Sequence, residues 1–187
     1  MKVESGDTKL FDLATMNRKQ GGYGLLKVAD LGTGGHFLLV AIRNWVKAVK
    51  DKRNPLPILV AGFDLAGVGM ALKPFDEVML ATATSSTHPF DVRCTTCKEV
   101  GDGEKDILSV ISFIQANKSK WAFQRLRSWL PESASRLVLP HVKSIGLELS
   151  SADLIIDLKL AFVEDDFPVG DAKEARIIPF PPHLRLQ

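Results

Sequence analysis

The chain has 187 residues, 45% of them hydrophobic and 25% charged, with a formal net charge of +2. Such a composition suits one soluble globular domain with a real core, and so small a total charge gives no strong pull towards nucleic acid or a membrane surface. No stretch approaches the ~20 apolar residues that span a bilayer. The charged N-terminal stretch MKVESGDTKLFDL has no apolar run behind it, so it does not read as a secretory signal.

In chain order, residues 1–35 are polar and rich in glycine, with GGYG at 21–24 and GTGG at 32–35, which predicts a mobile arm. At its end VADLGTGG places Asp30, Gly32, Gly34 and Gly35 ahead of an apolar run. That order resembles the first motif of the S-adenosylmethionine-dependent methyltransferases, in which a strand ends in an acid and a glycine-rich turn opens a helix. The resemblance implies a cofactor loop at Asp30, Gly32 and Gly34, with Asp64 of ILVAGFD holding the ribose hydroxyls. Phe90-Asp91-Val92 resembles that family's fourth-strand motif. The chain departs from the pattern in placing His36 where the third glycine belongs, in separating Asp30 from Asp64 by 34 positions, and in turning helical beyond Cys97. More parallel strands should stand there.

Residues 36–52 give the clearest helix. Leu38, Ile42, Trp45 and Val49 recur at helical spacing, with Arg43, Lys47 and Lys50 on the other face, until Asn54-Pro55 stops it. ILVAG, in 57–72, reads either as a buried strand or as a helix with Pro57 in its first turn. Gly62, Gly67 and Gly69 weaken a helix by ~1 kcal/mol each in its interior, but permit close helix approach. From Pro74 another short helix follows. Asp102 is a candidate cap for the next, with Ile107, Leu108, Ile111 and Ile114 as its stripe, and Glu104 and Asp106 as solvent-facing acids. Trp121, Leu126, Trp129 and Leu130 mark a further helix. The last begins at Pro131 and must be kinked or split by Pro140. A hairpin over 145–162 competes with it, because Ile145, Leu147 and Leu149, then Ile156, Leu158, Leu160 and Phe162, alternate with polar or small residues. Pro179 to Pro182 make the end of the chain extended.

The reading is therefore a mainly α protein. It has a flexible arm over 1–35, one bundle of five to seven short helices over 36–163, and an acidic then proline-rich tail over 164–187. The three tryptophans, Trp45, Trp121 and Trp129, belong to its core.

HPFDVRCTTC holds the one cluster of metal-ligand types. Cys94 and Cys97, three positions apart, could chelate zinc at ~2.3 Å with His88, and Asp91 could complete the set. The same pair could act as a redox dithiol, with Arg93 and Lys98 lowering the thiol pKa and Glu99 raising it. Two cysteines are too few for a disulfide framework, and the expected location is a cytoplasm that keeps thiols reduced. His36, His141 and His183 have no evident partners, and no catalytic triad can be argued.

Charge is segregated. Arg43, Lys47, Lys50, Lys52 and Arg53 crowd one stretch, and Glu148 to Glu174 holds eight acids against two lysines. The function expected is an interaction or regulatory protein without catalysis of its own. It would engage a protein partner or itself, through the basic stretch or a helix face opened by Gly62, Gly67 and Gly69, and would expect no cofactor and no membrane. The methyltransferase and the zinc or dithiol domain are the alternatives.

Overall fold

A computed structural model describes residues 26–157. The expectations for 1–25, the second half of the hairpin and the tail, His183 included, fall outside them. Six α-helices follow one another: α1 (Thr33–Lys50), α2 (Leu56–Leu65), α3 (Leu72–Ser85), α4 (Asp102–Gln115), α5 (Ser119–Leu126) and α6 (Glu132–Ser151). Single 3-10 turns at Val28–Asp30 and Gly69–Ala71 precede α1 and α3. The described residues form no strand, only one isolated antiparallel bridge between Lys27 and Glu99. The mainly helical bundle inferred from periodicity is the fold, and no described helix is long and apolar enough to cross a membrane.

Short polar connections are possible because four helices finish in the same way. After α1, α2, α4 and α6, the second residue past the helix (Lys52, Gly67, Asn117 and Asp153) has a left-handed backbone, with φ between 56° and 71°. In each case its N–H and that of the next residue reach back to two of the last helical carbonyls, as in Lys52 to Val49 and Arg53 to Ala48, both within 2.9 Å. This paired closure satisfies carbonyls that a helix end leaves open. Glycine takes the position without steric cost only after α2.

Several expectations change. The ordered body starts at least ten residues before position 36, and Leu26, Val28 and Leu31 pack on the core. ILVAG is helical, with Pro57 in the first turn of α2. Pro140 does not split α6, which continues through it as one helix of 20 residues. The hairpin is absent over 145–157. Ile145 and Leu149, one helical turn apart, are buried, while Leu147 between them is 69% exposed. The following residues 154–157 lie along α4, where Gln115 receives the Ile156 N–H and Ser112 donates to the Ile156 carbonyl.

The core forms where α1, α3, α4, α5 and α6 converge. Leu38, Phe75, Ile111, Leu126, Trp129 and Ile145 close on a void of about 10 Å³, room for one water at most and lined by apolar side chains. Trp45 and Trp129 are buried there, and Trp121 is half-buried against Phe113. The Trp45 indole N–H donates to Asp76 at 2.6 Å, tying α1 to α3. Gly34 sits so close to the end of α6 that a Cβ would stand 2.5 Å from the Leu154 carbonyl, so the first turn of α1 can dock there only with glycine.

α2 is the exception to this convergence. It is apolar along nearly its whole length, yet only Leu59 and Phe63 are buried. Phe63 holds it, with its ring 5.1 Å from Phe37 of α1 and 5.5 Å from Phe75 of α3. Phe63→Ala should cost about 3–5 kcal/mol in a urea unfolding curve, the usual loss for a buried phenylalanine.

Between α4 and α5, Asp106 accepts a hydrogen bond from Arg125. Burial raises the Asp106 carboxyl above its ordinary range, and the Arg125 charge opposes this without cancelling it. A value raised in the folded state means that the stability linked to this group is complete below the ordinary pKa of about 3.9 and is lost as pH rises through the folded value. Asp106→Asn should therefore gain stability relative to the wild type as pH rises above about 3.9, as followed by urea midpoints.

Candidate functional site

The densest polar constellation joins α1, the start of α4 and the loop between α3 and α4. Arg43 and Glu104 form a buried, two-pronged ion pair, with Nε to Oε1 at 2.8 Å and Nη2 to Oε2 at 3.0 Å; the side chains are 4% and 0% exposed. Two further guanidinium N–H groups donate to loop carbonyls, Nη1 to Cys97 and Nη2 to Glu99, both at 2.7 Å. The carboxylate in turn accepts the Arg93 N–H at 3.0 Å and the Gly101 N–H at 2.7 Å. Every group of the pair is thus satisfied, as a charge removed from water requires. Glu104 does the capping expected of Asp102: it sits in the first turn of α4 and reaches back to Gly101, the residue that precedes the helix.

Both charges were expected on solvated faces. Their register shows why they are not. Arg43 lies in line with Leu39 and Val46, at spacings of four and three residues, and both neighbours are buried. Glu104 lies three and four residues ahead of buried Ile107 and Leu108. A charge placed in an apolar stripe is the signal that finds this pair. The basic face of α1 is correspondingly smaller than the sequence suggests, with Lys47, Lys50, Lys52 and Arg53 exposed and Arg43 taken inward.

The loop held in this way carries Cys94 and Cys97, whose sulfurs are joined in a disulfide. The pair was expected as thiols, free or bound to metal. Cys94 is exposed and Cys97 half-buried. His88 is turned away from them, one ring nitrogen lying 3.0 Å from the Ser128 carbonyl oxygen and the other 3.3 Å from that of Pro89. No three His, Cys, Asp or Glu residues are grouped to hold a metal ion among the described residues.

Beside the disulfide, an open cavity of about 490 Å³ is walled by the 3-10 turn at Val28–Asp30, one face of α1 and the loop. Lys27, His36, Asn44, Lys98 and two threonines are among its polar lining, and none of its lining residues among those described is an Asp or Glu. The segment before α1 pairs with the loop through two backbone hydrogen bonds, Val28 N–H to Lys98 at 2.8 Å and Val100 N–H to Leu26 at 2.9 Å.

The residues of the methyltransferase resemblance are not brought together around a sheet. Asp30 accepts the Lys27 N–H at 3.1 Å in the turn before α1. Gly32 precedes α1, Gly34 serves packing, and Asp64 lies in the last turn of α2 beside Gly69. His36 faces the Leu31 carbonyl at 3.2 Å, and His141 lies half-buried on α6. No family model, no curated protein and no solved structure matches the chain.

Removing one partner of the ion pair strands the other charge. Arg43→Met and Glu104→Met should each cost about 3–5 kcal/mol, and the double variant should cost clearly less than their sum in chemical denaturation.

Proposed function

We propose that the protein is an interaction module that works as a homodimer, paired through α2. The observation that carries this reading is the outer face of that helix. Ile58, Ala61, Gly62 and Leu65 recur at i, i+3, i+4 and i+7 and are all exposed, Leu65 by 91%. Met70, just past the helix, is 77% exposed. A helix that is hydrophobic all round belongs in an interior, and exposed apolar stripes of this kind mark contact surfaces.

The stripe fits a second copy of itself. Its order is large, small, small, large, so an antiparallel partner helix crossing at Ala61 and Gly62 would set each Ile58 against the partner's Leu65. This is the self-complementarity of a two-fold contact. Glycine at 62 is not required by the chain's own packing, since a Cβ there would have no neighbour within 4 Å, and its lack of a side chain leaves room for a partner helix. No charged residue lies in the stripe. Of the three glycines expected to open a helix face, Gly62 lies on the exposed face of α2, whereas Gly67 and Gly69 belong to the turn after it.

Sedimentation equilibrium at tens of micromolar should find a dimer for the wild type, and Leu65→Asp should reduce it to a monomer. Because Leu65 touches little of its own body, the variant should keep its helical circular dichroism and lie within about 0.5 kcal/mol of wild-type stability once monomers are compared. A wild type that stays monomeric throughout would overturn the reading.

A further inference from the structure

The geometry points to the Cys94–Cys97 disulfide as a thiol–disulfide exchange site that reacts with a small anionic thiol held in the adjoining basic cavity. This goes beyond pairing through α2 and involves different residues.

Four observations carry it. The disulfide closes a very short loop, with a sequence separation of 3, and so small a ring restrains the unfolded chain least. The loop already has its shape from Arg43 and Glu104, which hold the backbone of Arg93, Cys97, Glu99 and Gly101 without involving sulfur. Breaking the bond therefore leaves the fold in place. The disulfide also lies at the surface, since Cys94 is exposed and Cys97, half-buried, lines the cavity. Finally, the cavity selects charge. The Arg43 N–H groups are directed at Glu104 and at loop carbonyls, so recognition falls to Lys27 and Lys98, both exposed at the rim, with Asn44 and His36 as further polar partners. At about 490 Å³ the space suits a molecule of tripeptide size carrying carboxylates.

The exchange proceeds in two displacements. A thiolate seated in the cavity attacks the Cys97 sulfur, the S–S bond breaks, and the Cys94 sulfur leaves with the electron pair. The Thr96 hydroxyl, 3.6 Å from that sulfur, is placed to donate to the new thiolate. A second molecule of the same thiol then attacks the sulfur of the first, forming the small-molecule disulfide and releasing Cys97 as a thiolate. Two thiols become one disulfide, the protein gains two electrons, and the two protons end on Cys94 and Cys97.

The test compares reductants of different charge. Wild-type protein is treated with millimolar glutathione, which is anionic, or 2-mercaptoethanol, which is neutral. Free cysteines are trapped by alkylation and counted by mass spectrometry, with rates expressed per thiolate. Glutathione should react about tenfold faster, the lower end of what charge steering supplies. The preference should fall below about twofold in Lys27→Glu/Lys98→Glu, and likewise for the wild type in 0.5 M salt, where no folding question arises. Cys94→Ser incubated with glutathione disulfide should capture glutathione on Cys97. Equal rates for the two reductants, a disulfide that resists both while the protein is folded, or faster capture at Cys94 in Cys97→Ser would each overturn the assignment.

Discussion

The structure turns on one constraint: Arg43 and Glu104 are charged and have no water. Their mutual contact leaves donors and acceptors to spare, and each must be met by something. The loop between α3 and α4 meets them with its own backbone, turning the Cys97 and Glu99 carbonyls towards the guanidinium and the Arg93 and Gly101 N–H groups towards the carboxylate. A segment without secondary structure thereby acquires a definite shape. That shape places Cys97 on a cavity wall and offers the edge on which residues 26–28 pair. Helix α1, the start of α4 and the loop are joined by this single pair, and its requirements decide the local architecture.

The rest of the body obeys a simpler rule. Five helices bring apolar stripes to a common centre that is nearly void-free, and paired hydrogen bonds close four of the helix ends so that the chain can turn back quickly. Small adjustments make room where elements come closest, as at Gly34 beside Leu154. Against this background α2 stands out, being rich in apolar side chains and poor in burial.

The helical class was legible because long stripes such as Leu38–Ile42–Trp45 and Ile107–Ile111–Ile114 carry the 3.6-residue period over several turns. The boundary between arm and body was not, since Leu26, Val28 and Leu31 form no helical stripe, and the loop that pairs with Leu26 and Val28 lies some 70 residues on. The hairpin over 145–162 was a competing pattern because alternation over five residues also satisfies a helix when every second apolar side chain is left in solvent, as Leu147 is. The candidate site was read least well. Arg43 and Glu104 are 61 positions apart, and only the partner makes either charge tolerable inside. The cysteine pair was visible as a motif, but its neighbour at the cavity, Lys27, comes from sequence that reads as a flexible lead-in.

The attachment of α2 has a dynamic consequence. One aromatic side chain and one leucine secure ten residues, while the central helices are wedged from several sides. Segments held so thinly open on their own, well below the free energy of global unfolding. Leu56–Leu65 is thus positioned to breathe away from the body as a hinged unit, its amides exchanging with solvent while those of α4 stay protected. The helix richest in exposed apolar surface is also the one best able to adapt its angle to whatever it meets.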